Sequence, residues 1–163
     1  MLKFLSDNPK YQVDLEHAKK AFTCFEPYNR MPEHYALSAA HFTDECISEV
    51  SSLLRSLRSN EERYSDEQEE DLNVIMNALV AKNAEEYYRE MMKDAKSWNT
   101  RDLHMVEAIN ELLKYHGEDA KIIIWEHNTH IGDASETDMK DEQLINVGQI
   151  IREQYGKDNT FAI

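Results

Sequence analysis

Glycine is scarce in this chain, and its scarcity removes whole classes of chemistry. Four glycines in 163 residues cannot supply a phosphate-cradling loop, and no Gly-x-Ser-x-Gly turn is present to present a serine nucleophile. The two cysteines, Cys24 and Cys46, are too few for a zinc ribbon and lack CxxC spacing. No apolar run approaches the roughly 18–20 residues that a spanning helix needs. At the N-terminus, Asp7 and Pro9 end a short apolar start before a signal-peptide core can form, so the expected location is cytoplasmic. Two reduced, half-buried thiols are the expectation there, although a disulfide tying two helices together also fits the sequence.

Basic charge is short as well. Thirty-two acidic residues against 18 basic ones leave a net charge of −14, which repels phosphate backbones and anionic lipid. Neither nucleic acid nor a membrane is therefore an expected partner. What remains is the composition of a soluble globular chain, 41 % hydrophobic and 31 % charged, long enough for one domain with a core.

Helical periodicity dominates the first two thirds. Asp14 to Phe25 reads as a helix stopped by Pro27, and a brief helical turn is expected after Pro32. Thr43 reads as an N-cap, with Asp44 and Glu45 in the first turn and Ile47, Val50, Leu53, Leu54 and Leu57 on one face. A long helix is predicted from about Asp66 to Lys93, its stripe running through Leu72, Ile75, Met76, Leu79, Val80, Tyr87 and Met91. Another spans roughly Asn99 to Tyr115 and stops at Gly117.

The last third reads differently. Lys121-Ile122-Ile123-Ile124-Trp125 is a continuous β-branched run, as in a strand buried on both faces of a parallel sheet. A helix from about Glu142 to Tyr155 and a second strand beginning at Thr160 to Ile163 would complete a right-handed βαβ unit. The expected fold class is thus α/β: a helical part over 10–116 and a βαβ part over 120–163, in a single partial domain. The second strand is an edge that another copy of the chain, or a missing half of the same fold, could complete.

The chemistry gathers after the first of these strands, where ligands bind in open α/β sheets. Glu126, His127, Asn128, His130 and Asp133 place acids, an amide and two imidazoles within eight residues. Imidazoles exchange protons near neutrality, and neighbouring acids orient them. The competing reading is a polar loop that satisfies its own hydrogen bonds. A metal reading of the HxxH spacing lacks a third ligand and the helical HExxH arrangement. A second cluster, Ser97 to Met105, puts Arg101, His104, Met105 and Ala108 on one helix face. There Arg101 either snorkels to solvent or pairs with Asp102 or Glu107, or aims a guanidinium at a carboxylate or oxyanion.

Five motifs in order tie these clusters together: Cys24-Phe25-Glu26-Pro27-Tyr28, Asn83 to Tyr88, Ser97 to Asp102 with His104-Met105, Trp125 to Ala134, and Asn146-Val147-Gly148-Gln149. In this order they resemble the signature of the erythromycin esterase family, over about Cys24 to Gln149. The resemblance implies helices around a mainly parallel sheet, and hydrolysis of an ester or lactone by activated water, without a serine nucleophile or a cofactor. It implies His127 and His130 as the catalytic pair. Arg101 is placed beside them for substrate or oxyanion, with Glu126, Asn128 and Asp133 as further substrate contacts. Macrolide inactivation, and with it antibiotic resistance, is one function the family includes. Nothing here matches the Ser-His-Gly-like segment that carries the family's other catalytic glutamate and histidine. The chain is accordingly expected to be a C-terminal part of the fold, inactive alone. The alternative expectation is a non-catalytic helical scaffold or interaction module.

Overall fold

The computed structural model describes residues 1–29, 31–42, 45–60, 68–92 and 96–162. Their α-helices are α1 (Leu2–Asp7), α2 (Gln12–Phe25), α3 (Pro32–His41), α4 (Ile47–Ser59), α5 (Gln68–Glu90), α6 (Ser97–His116), α7 (Asn128–Ile131) and α8 (Val147–Tyr155), with short 3-10 turns between some of them. They fall into two compact units, Met1–Asp94 and Ala95–Ile163. The division lies ahead of α6, so the helix bearing Arg101 belongs with the histidine loop.

In the first unit α2, α4 and α5 share one core. Leu15, Ala18 and Ala21 of α2 meet Val50, Leu53, Leu54 and Leu57 of α4 and Val74, Ile75, Ala78 and Leu79 of α5. Burying each large member is worth about 1.5–3 kcal/mol. The face predicted for α4 is the face that is buried, whereas Thr43 and Asp44, its expected cap and first acid, lie outside the described residues. So do Asp66 and Lys93, the expected ends of the long helix. The expected turn after Pro32 is a ten-residue helix, started by a proline at its first position, where the missing N–H costs nothing.

The buried face of α5 is displaced from the predicted stripe. Asp71, Asn83 and Glu85 are buried along with Val74 and Ile75, while Val80 and Met91 are exposed. Three polar residues on the inner face break the apolar pattern from which that face was read. Glu85 shows why they are tolerated: the Tyr35 hydroxyl donates to its Oε1 at 2.6 Å, and Arg89 Nε lies 3.4 Å from the same oxygen. Burial raises the Glu85 carboxyl above its ordinary value. Burial also pushes the Tyr35 phenol well above its ordinary value, with the hydrogen bond to Glu85 acting in the same direction.

Cys24 and Cys46 are bonded to each other, which corrects the expectation of reduced thiols. The end of α2 and the residue before α4 bring their Cα atoms to 5.9 Å, inside the range a disulfide spans. The Cys46 N–H donates to the Tyr35 hydroxyl at 3.0 Å, so the bond is fastened to the buried Glu85 group.

The α/β fold class is overturned in the second unit. Neither Lys121 to Trp125 nor Thr160 to Ala162 forms a strand, and no strand occurs among the described residues; Ile163 lies outside them. Ile123 is 92 % exposed, Trp125 95 % and Phe161 87 %, against the expectation of burial on both faces. The run is covered on one side only. Ile124 packs on the core of Val106 and Ile109 from α6 with Val147 and Ile150 from α8. A continuous apolar run requires sheet neighbours to hide its second side, and no described residue supplies one. The βαβ unit is therefore replaced by α6, an irregular segment, α7 and α8. The helix expected from Glu142 starts later, at Val147, where the Asn146 side chain caps it.

Candidate functional site

The site is built on the inner face of α6. That face runs Asp102, Val106, Ile109, at the i, i+4, i+7 spacing of a helix stripe, with the acid in line with the apolar residues. Asp102 has no exposed side-chain surface. Its Oδ2 accepts the Val147 N–H at 3.1 Å, and its two oxygens lie 2.9 and 3.0 Å from His130 Nδ1. A buried carboxylate is thus satisfied by the start of α8 and by the imidazole.

His130 is gripped on two further sides. The Trp98 ring stacks on it, centroids 4.7 Å apart and planes 2° from parallel. Arg101 Nη2 lies 3.4 Å from His130 Nε2, and the Arg101 guanidinium carbon sits 4.7 Å from the Trp98 ring centroid. Trp98 is itself anchored, donating Nε1–H to the Ile145 carbonyl at 2.9 Å. Asn99 clamps the same loop: its amide donates to the Gln143 carbonyl at 2.9 Å and its oxygen accepts the Ile145 N–H at 3.0 Å.

The loop carrying His127 is held from α8. Asn146 donates to the Thr129 carbonyl at 2.9 Å and accepts the N–H groups of Ala134 and Gln149 at 3.2 and 3.0 Å. Arg152 donates to the carbonyls of Ile131 and Gly132 at 3.3 and 2.9 Å. Gly148 lets the two pieces touch, since a Cβ there would collide with the carbonyl oxygens of Ile131 and Gly132. These contacts account for the Asn146-Val147-Gly148-Gln149 motif.

Of the residues singled out in the sequence, His130 and Arg101 come together. Glu126 lies on the covered side of its segment, as Ile124 does: its Oε2 is buried without a hydrogen-bond partner. Burial raises the Glu126 carboxyl, the neighbouring His130 lowers it, and Asp102 raises it. His127 is exposed and caps α7, its Nδ1 accepting the Thr129 N–H at 3.3 Å. Asn128 is exposed at the start of α7, and its carbonyl accepts the Gly132 N–H at 2.9 Å. Asp133 is engaged as a cap, accepting from the Ser135 N–H and hydroxyl at 3.2 and 2.6 Å.

Sequence reasoning passed over Asp102 and Trp98 as site residues. Of the readings offered for Arg101, pairing with Asp102 is not what the structure shows: Asp102 turns inward to the imidazole. The available signal was an aspartate in phase with Val106 and Ile109, because a carboxylate on a buried stripe must have a partner. Among the described residues, no three His, Cys, Asp or Glu side chains are grouped as metal ligands would be.

No helix among the described residues is long and apolar enough to cross a membrane. No solved structure matches the chain. The family model for erythromycin esterase matches residues 1–163, and with that match over its full sequence the chain belongs to the erythromycin esterase family.

Proposed function

We propose that this chain contributes the histidine half of a site that hydrolyses a carboxylic ester or lactone with an activated water. The observation that carries the reading is the His130–Asp102 pair, with Nδ1 2.9 Å from a carboxylate that has no exposed surface. Such a partner fixes the ring's orientation and leaves Nε2, which faces Arg101, as the proton acceptor. Water gives up its proton to Nε2, its oxygen adds to the carbonyl carbon, and the oxyanion is met by a cation. Arg101, 3.4 Å from the same nitrogen, is the cation in reach. Glu126 feels the charge of the pair, and His127, Asn128 and Asp133 are proposed as further site residues from the same loop. The ligand is a small ester or lactone, and no cofactor enters the scheme.

The chain acts in this reading as the C-terminal part of the hydrolase fold, with a further glutamate and histidine supplied by another segment. The nearly full exposure of Ile123 and Trp125, immediately before the histidines, supports a site that more protein covers. Two assays test it. Purified 163-residue chain is expected to leave erythromycin and simple esters intact, and turnover lost in His127→Ala would show that no second segment is needed. A version extended by any in-frame upstream sequence is expected to hydrolyse an ester or lactone and to lose that activity in His130→Ala. A stop codon close upstream, or an inert extended chain, would leave the scaffold reading in its place.

A further inference from the structure

The two histidines of the loop are held by hydrogen-bonding groups of opposite character. His130 Nδ1 faces both Asp102 oxygens, at 2.9 and 3.0 Å, and an ionised carboxylate only accepts. Nδ1 therefore carries the proton, and Nε2 of the neutral ring keeps its lone pair. Arg101, which only donates, lies on that nitrogen at 3.4 Å. At His127 the order is reversed. The Thr129 backbone N–H, which can only donate, points at Nδ1 at 3.3 Å, and the Thr129 hydroxyl lies 3.0 Å from the same atom. Nδ1 is thus the acceptor, and the proton of the neutral His127 ring sits on Nε2.

We infer that these opposed tautomers divide the labour of the proposed site: His130 is the proton acceptor, and His127 is a neutral hydrogen-bond donor to the substrate's carbonyl oxygen. The inference rests on the hydrolase reading for its chemistry. The water O–H bond breaks and its proton passes to the His130 Nε2 lone pair, displacing the Arg101 N–H from it, while the hydroxide oxygen bonds to the carbonyl carbon. The carbonyl π pair moves onto oxygen, which accepts a hydrogen bond from His127 Nε2–H. On collapse the carbon–oxygen bond to the leaving alkoxide breaks, and the alkoxide takes the proton back from His130. His127 never changes its protonation, so a neutral ring suffices there. Thr129 acts through His127 as a positioning residue, and Asp102 does the same for His130.

The test is the ring tautomer itself, read by long-range proton–nitrogen correlation on the full chain labelled with ¹⁵N-histidine. Histidine-to-glutamine variants at 127 and 130 assign the two signals. At neutral pH, His130 is expected as the Nδ1–H form and His127 as the Nε2–H form. Asp102→Asn supplies the second arm. The Val147 N–H retains the amide oxygen, so the amide NH₂ turns to His130 Nδ1 and shifts that ring to Nε2–H. Identical tautomers in the unsubstituted chain overturn the inference, even where the variant does not fold. So does a folded Asp102→Asn chain whose His130 keeps Nδ1–H. Opposed tautomers with no ester hydrolysis by the extended protein overturn the hydrolase reading instead.

Discussion

Both units bury a carboxylate beside a ring and an arginine, yet the two groups are connected differently. In the first unit the Tyr35 hydroxyl and Arg89 both converge on Glu85, and the arginine closes the group onto the carboxylate. In the second, Asp102 takes only one nitrogen of His130, and Arg101 sits on the other. The phenol has one polar atom, and burial holds its proton far above neutrality, so it is spent as a structural donor. The imidazole has two polar atoms, so the carboxylate fixes one while the other, facing the donor Arg101, keeps its acceptor character. A buried acid next to a ring is thus no sign of chemistry by itself. What distinguishes the second unit is a ring whose second nitrogen lies outside the carboxylate's grip and faces Arg101 instead.

The difference can be broken by substitution, and the largest effect belongs to the closed group. Glu85→Ala leaves the Tyr35 hydroxyl and Arg89 without their acceptor, and should lower the unfolding free energy by about 4 kcal/mol in urea titration. A loss under 1 kcal/mol would mean that the group is not structural. Replacing both Cys24 and Cys46 with serine should cost about 3 kcal/mol, the usual worth of closing a loop of this size. Matching melts for oxidised and serine-substituted chains would contradict that. Gly148→Ala forces a methyl group against the Ile131 and Gly132 carbonyls and should cost about 2 kcal/mol. Its effect should show as weakened histidine-loop protection in hydrogen exchange.

Asp102→Asn should cost less, about 1 kcal/mol, because the amide still accepts the Val147 N–H. The contrast with Glu85→Ala fails if Asp102→Asn proves the more destabilising of the two. The smallest effect is a slope. Burial raises the Glu85 carboxyl, so from the ordinary carboxylate value up to the raised one the folded chain binds more protons than the unfolded chain. Stability contributed by this group is therefore full below that window and falls as pH rises through it. Glu85→Gln should flatten melting temperature against pH there, and an unchanged slope would assign the dependence elsewhere.

Legibility in the sequence followed the same division between apolar and polar inner faces. Val50, Leu53, Leu54 and Leu57 are buried as their spacing predicts, because nothing polar interrupts that face. The face of α5 was misplaced because Asp71 and Glu85 occupy buried positions that a reading of apolar residues skips, and Asp102 escaped notice on α6 for the same reason. His130 and Arg101 were singled out from their residue types and order, but Asp102, which joins His130 to α8, was not. The strand over Lys121 to Trp125 was wrongly expected because a β-branched run reports preference for a covered, extended surface, and the cover itself is decided by distant residues. Ile124 found that cover and Ile123 did not.

The near-parallel stack of Trp98 on His130 also gives the site an optical reporter. A charged imidazole in contact with an indole drains its excited state far more effectively than a neutral one. Trp98 emission should therefore dim as His130 takes up a proton and brighten as it loses one. The second tryptophan, Trp125, stands 95 % exposed and supplies a solvent-like emission against which that change can be resolved. A fluorescence titration, repeated with Trp125→Phe to isolate the signal, would follow the charge on His130 directly, with no substrate in hand.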